Sequence, residues 1–185
     1  LESAPNYLAP GIDTRYEAAL AFAAAAGYRH VGDARNLNVD LTATPPARAV
    51  PDGVEVRRAS QDDARALNTF LDRHWPSWKA EAAVALRNRP ATLHLALRDD
   101  QIVGFAAADA NNLGAGWFGP MGVAPEERGS GIGCVLLHGC LDDLRAQGHD
   151  AAVIAWADNA PFYERCAGAV LSRTFARFEK VMHED

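Results

Sequence analysis

The stretch Arg128-Gly129-Ser130-Gly131-Ile132-Gly133 constrains this chain more than any other part of it. It follows a run with strand character, Trp117 to Val123, and opens directly into an amphipathic run, Ile132 to Gln147. A strand, a glycine-rich turn and a helix start in that order make an anion cradle. The first N–H groups of a helix have no partner inside the helix. They point outward, and the helix dipole adds positive potential there. Glycines let a phosphate approach the backbone closely. Arg128 adds a guanidinium suited to phosphate oxygens.

What the turn lacks narrows the ligand. A mononucleotide loop needs Gly-Lys-Ser/Thr, and no lysine lies here. The dinucleotide fingerprint is G-x-G-x-x-G, whereas this turn reads G-x-G-x-G. Arg-Gly-x-Gly-Ile-Gly after Val123-Ala124-Pro125 resembles the pyrophosphate loop of the GNAT superfamily of N-acetyltransferases. The resemblance covers about Val54 to Met182. It implies that Arg128, Gly129, Ser130, Gly131 and Gly133 hold the diphosphate of acetyl-coenzyme A.

Charge points the same way. The formal net charge is -6. A phosphate polymer needs a basic footprint, so nucleic acid is disfavoured as a partner. Cationic amine acceptors are mildly favoured by attraction. No apolar run approaches membrane-spanning length, so no membrane partner is expected. Three cysteines, Cys134, Cys140 and Cys166, show no C-x-x-C spacing. An odd count without a framework suggests reduced thiols and a cytoplasmic setting. No secretory signal is visible, and whether Leu1 is the native start stays open. The six histidines show no metal-ligand spacing, so no metal is expected.

The chain divides at Thr42 to Gly53, a stiff stretch with three prolines. After it, element types alternate. Val54 to Arg58 reads as a strand. Ser60 with Asp63 reads as a helix cap, and Ala64 to Asp72 as the helix. Lys79 to Arg87 is a second helix. Thr92 to Leu97 and Ile102 to Ala108 form a hairpin around Asp99-Asp100. Gly116 to Val123 is the next strand. Ile132, Val135, Leu136, Cys140 and Leu144 follow helical spacing, with Asp142, Asp143 and Arg145 placed outward. Ala151 to Trp156 is a buried strand, Pro161 to Cys166 a short helix, and Leu171 to Met182 the last strand. The order resembles the GNAT order. It implies an α/β fold with a mixed, mostly antiparallel sheet, helices on both faces and a splay between the fourth and fifth strands.

The first segment carries a faint repeat. Ala21 to Tyr28 can be laid on Phe162 to Ala169, with a helix, a glycine and a strand-like stretch in both. Residues 1–41 therefore resemble the C-terminal part of a second GNAT repeat, as in tandem members. Residues 42–53 are expected to be a linker and 54–185 a complete GNAT domain. The first segment has no pyrophosphate loop, and its Phe22 falls where Tyr163 falls.

Acyl transfer from a thioester to an amine needs a neutral amine, a donor for the oxyanion, and a proton for the leaving thiolate. Gly119-Pro120 interrupts a strand, as a bulge does. The resemblance implies that the strands splay there. The pantetheine arm would then pair with backbone groups of Met121 and Val123. It also implies that Tyr163, in Pro161-Phe162-Tyr163, is the general acid and that Asn159 contacts the pantetheine. A general base is not evident; Asp109, His94 and a water chain stay open. The run His74-Trp75-Pro76-Ser77-Trp78 is expected to build the acceptor pocket, with Trp117 and Trp156 nearby. The activity implied is direct acetyl transfer from acetyl-CoA to a primary amine. The acceptor is a small molecule or a peptide, and a homodimer is left open. The alternative is a non-catalytic acyl-CoA-binding module.

Overall fold

The computed structural model describes residues 9–46 and 49–181. Eight strands form one sheet: β1 (Ile12–Asp13), β2 (Arg29–Asp40), β3 (Glu55–Arg58), β4 (Leu93–Arg98), β5 (Gln101–Ala108), β6 (Trp117–Val123), β7 (Ala151–Ile154) and β8 (Val170–Glu179). Their spatial order is β1-β8-β2-β7-β6-β5-β4-β3. The β6–β7 pair is parallel; the other six neighbouring pairs are antiparallel. The helices are α1 (Glu17–Ala25), α2 (Ala64–His74), α3 (Lys79–Arg87), α4 (Ile132–Ala146) and α5 (Ala160–Ala167). Among the described residues no helix is long and apolar enough to cross a membrane.

Two cores sit on the two faces of the sheet. Leu67, Phe70 and Leu71 of α2 and Ala82, Ala85 and Leu86 of α3 close over Leu93, Leu95 and Phe105. Leu93 and Leu95 are alternate positions of β4, as the period of two requires, and Phe105 is the β5 partner of Leu95. On the other face, Ile132, Leu136, Leu137, Cys140, Leu141 and Leu144 of α4 cover Ala96, Ala106 and Ala108. The apolar stripe read from the sequence is thus the buried face of α4. Asp143 departs from that reading. It is turned in, and accepts hydrogen bonds from His94 Nε2 at 2.8 Å and from Arg58. A cation from β3 and an imidazole from β4 meet over this helix, so an acidic residue is satisfied there.

Ser60 and Asp63 form a capping box, which starts a short 3-10 turn ahead of α2. The hairpin at Asp99-Asp100 forms with both residues at positive φ. The strand from Ala151 stops at Ile154, earlier than expected, because Trp156 takes a φ of 52° and turns the chain.

The first segment is built into the middle of the sheet. β2 pairs with β7 on one side and β8 on the other, and Leu37, Val39 and Leu41 are fully buried against α4. Its pairing with β8 has a self-matching register. Ala34 pairs with Phe175, and Asp33–Ala176 on one side is matched by Arg35–Thr174 on the other. Even the irregularities match: one interrupts β2 between His30 and Gly32, and one interrupts β8 between Leu171 and Arg173. The helix-glycine-strand overlay read from the sequence uses this same offset. Gly27 and Gly168 end their helices at φ of 80° and 65°.

Cys134 on the first turn of α4 and Cys166 on α5 are joined as a disulfide, with Cα atoms 5.5 Å apart. This corrects the expectation of three reduced thiols. The pairing joins two helices that only the folded chain brings together. Cys140 alone is free, and burial pushes its thiol well up.

Candidate functional site

The strand β6 carries the site. Between Ala106–Met121 and Ala108–Phe118 its register with β5 slips, so Gly119 and Pro120 stand against one residue of β5. Gly119 sits at a φ of 117°, a conformation that favours glycine. On its other edge β6 pairs with β7 only at Trp117–Val153 and Phe118–Ile154. Beyond the bulge the two strands part. The Ala124 N–H bonds to Val103 O, toward β5. Backbone groups alternate sides along a strand, so those of Met121 and Val123 face the opposite edge, toward the gap. Val123 O there accepts from Arg128 Nε at 3.3 Å.

A cavity of about 350 Å³ fills the gap. Met121, Asn159 and Tyr163 all line it. Asn159 is the N-cap residue of α5 but makes no capping bond with its side chain, which leaves the carboxamide available. Phe162 and Phe118 brace Tyr163 edge-on, at ring separations of 5.0 and 6.1 Å. Burial, with Asp158 adding to it, pushes the phenol up to about 12. It therefore holds its proton throughout the ordinary pH range.

Past the C-terminal end of β6, the chain turns through Arg128 to Gly131 into α4. Gly129 and Gly131 have φ of 81° and 98°, and a Cβ on either would meet nothing within 4 Å. The turn is thus glycine for conformation and open toward solvent. Arg128 is exposed beside it, and the Ser130 hydroxyl donates to Glu127 O at 2.6 Å. Gly133 is different: its Cβ would lie 3.2 Å from the Phe162 ring, so its small size lets α5 pack on α4. The arrangement fits an elongated acyl-thioester: an anion cradle at a helix start, a strand edge whose backbone groups face the gap, and a cavity with a protonated phenol.

The acceptor side differs from the expectation in part. Trp78, Trp117 and Trp156 line the cavity, but Trp75 and His74 do not. Trp75 stacks on Trp78 at 5.3 Å, and its six-membered ring packs against Gly122. His74 packs on Phe70. Neither residue considered as a base is in the cavity. His94 is engaged with Asp143 across the sheet. Asp109 is buried in the turn after β5, where its Oδ1 accepts from the Gly114 N–H at 3.3 Å. Asp158, exposed ahead of α5, lines the cavity, and so does a second carboxylate, Glu81 on α3. Sequence reasoning passed over it because Lys79 to Arg87 reads as an ordinary amphipathic helix.

The fold is shared with known proteins. A GCN5-related N-acetyltransferase from Sphaerobacter thermophilus is 24% identical with a TM-score of 0.73, over 89% of this chain and 56% of that one. A glucosamine N-acetyltransferase region of a fungal multi-domain β-N-acetylglucosaminidase is 20% identical with a TM-score of 0.76, over 93% of this chain and 24% of that one. A tandem GNAT protein from the clavulanic acid biosynthesis pathway is 18% identical with a TM-score of 0.62, over 96% of this chain and 61% of that one. The chain thus spans under two thirds of the length of each. No curated protein matches it. The model of the Acetyltransferase (GNAT) family matches residues 55–169, from β3 through the bulged strand, the glycine turn and α5. On that match, carried by the residues that build the cleft, the chain belongs to the GNAT acetyltransferase family.

Proposed function

We propose that this chain is an acetyl-CoA-dependent N-acetyltransferase that moves the acetyl group directly to a primary amine. The observation that carries the reading is the convergence of Met121, Asn159 and Tyr163 on one cavity at the splay of β6 and β7. Acetyl-CoA supplies an activated acyl carbon and a thiolate leaving group. The amides of Gly129 to Gly133, with Arg128, hold its diphosphate. The Met121 and Val123 backbone groups and the Asn159 carboxamide align its amide arm. The amine nitrogen attacks the acyl carbon, a backbone N–H near Met121 stabilises the oxyanion, and the C–S bond breaks. Tyr163 gives its proton to the departing sulfur, and the nitrogen sheds one proton as it becomes an amide, which balances the one the phenol gave up.

The same reading takes residues 1–41 as the end of a preceding GNAT repeat that has lent β2 to this sheet, and 54–185 as the coenzyme-binding domain. The self-matching register of β2 and β8 supports this division. A non-catalytic acyl-CoA-binding module is the second reading; the cavity's Tyr163 favours the enzyme. The test is thiol release from acetyl-CoA across a panel of primary amines. Amine-dependent release with formation of the acetamide is the expected result. Acetyl-CoA binding with no release on any amine favours the module.

A further inference from the structure

Among the described residues, Asn111 Oδ1 and the indole Nε1 of Trp156 are buried side-chain polar atoms with no hydrogen-bond partner. Both residues line the cavity that holds Tyr163. Buried polar groups are nearly always satisfied, and those that are not call for an explanation. One is an acceptor and one a donor. Amide orientation is interchangeable for Asn111, so its carboxamide presents either type. Glu81, only 9% exposed, brings a carboxylate to the same wall. The indoles of Trp78 and Trp117 line the same cavity, as does the carboxylate of Asp158.

We infer that this wall is the acceptor site, and that it selects a compact polyhydroxylated primary amine of the aminohexose class. The inference rests on the acetyltransferase reading and deepens it. A hydrocarbon amine would fill the cavity but leave the Asn111 and Trp156 groups buried and unsatisfied. A ring hydroxyl serves both: it donates to the Asn111 carboxamide oxygen and accepts from the Trp156 N–H. Flat indoles cover the C–H face of a pyranose ring while their polar edge bonds a hydroxyl. The Glu81 carboxylate attracts the ammonium form of the incoming amine by a charge-assisted hydrogen bond. Once the neutral amine reacts, its proton has a carboxylate close by to receive it. An extended peptide end needs a strand-like line of backbone partners, and α3 and the Asn111 turn offer side chains instead.

Sites built to hydrogen-bond a substrate discriminate strongly against analogues that lack those groups. The test uses D-glucosamine and cyclohexylamine, which share a six-membered ring and an amine and differ in the hydroxyls. Each is titrated calorimetrically onto the CoA-loaded protein, and acetyl transfer to each is measured alongside. A tripeptide amine is the third probe. Glucosamine should bind at least roughly a hundredfold more tightly than cyclohexylamine or the tripeptide. Asn111→Leu and, independently, Trp156→Phe should narrow that ratio to within about tenfold. Glu81→Gln, with Asp158 still in the cavity lining, should weaken glucosamine binding several-fold while coenzyme affinity holds. Tight glucosamine binding without transfer would sink the enzyme reading and leave this inference standing. Cyclohexylamine or the tripeptide binding as well as glucosamine, or no binding of glucosamine at all, would overturn the inference.

Discussion

Gly122→Ala adds one methyl group, and the structure says where it lands. Gly122 lies in β6 opposite Phe105, with an ordinary extended backbone, so the alanine costs nothing in φ. Its Cβ would lie 2.5, 2.6 and 2.8 Å from three carbons of the Trp75 six-membered ring. Carbon atoms in contact sit at about 3.5–4.0 Å. The ring must therefore retreat by roughly 1 Å. It has little room: Phe70 lies at 5.9 Å and Phe105 at 6.3 Å between centroids, and Trp78 is stacked at 5.3 Å. Overpacking of this kind costs about 1–3 kcal/mol. For a chain of this length that is a melting temperature lower by roughly 2–12 °C. The strain also has a direction. Pushing Trp75 pushes Trp78, which lines the acceptor cavity. The amine KM should rise several-fold, while acetyl-CoA affinity should fall less, because the substitution leaves the backbone groups of the flanking Met121 and Val123 in place. Scanning calorimetry and initial rates read both effects. A melting temperature within about 1 °C of the parent, half the smallest of these shifts, would refute the packing argument.

Three further outcomes follow from the same geometry. Arg128→Ala with Gly131→Val should weaken acetyl-CoA by about 2–4 kcal/mol, roughly thirty- to several-hundred-fold in Kd, because charged contacts and backbone approach are lost together; unchanged calorimetric affinity would remove the diphosphate from this turn. The Tyr163 phenol is held above its ordinary value, up to about 12, so its protonated form persists as pH rises and is lost only near that value. The rate of a saturated enzyme should therefore show no falling limb from this group between about pH 8 and 10.5; a limb in that window that disappears in Tyr163→Phe would show that burial does not hold the phenol that high. Deleting residues 1–41 opens the sheet between β7 and β8 and strips the cover from a core that includes Leu37, Val39 and Leu41; the shortened chain should lose its cooperative unfolding transition, and a 54–185 protein as stable as the parent would count against β2 as an integral strand.

Local chemistry made much of this legible. The glycine turn, the bulge at Gly119-Pro120, the apolar stripe of α4 and the Tyr163 helix each announce themselves within a dozen residues or so, where strand and helix periods and turn chemistry are strong. Long-range pairing is silent at that scale. Asn36 to Leu41 read as a strand-like end of a separate segment, yet the strand is longer and lies between β7 and β8. β1 has two residues, too few to show a period. The Cys134–Cys166 bond spans 32 positions and depends on how α5 docks on α4. Glu81 carries no local mark either. Only the packing of α3 against the sheet shows that its position faces the cleft and not solvent. The same holds in reverse for His94 and Asp109, whose residue types suit a base but whose partners lie elsewhere.

The central claim is that Tyr163 protonates the leaving sulfur in a cleft that binds acetyl-CoA. Tyr163→Phe tests it most directly, since one hydroxyl is removed and the Phe118 and Phe162 contacts remain. With a saturating amine that the parent accepts, turnover measured by thiol release should fall by roughly two to four orders of magnitude. The dissociation constant for acetyl-CoA and the melting temperature should stay at parental values. A variant that turns over at the parental rate would show that the phenol only packs, and the account of the chemistry would fail with it.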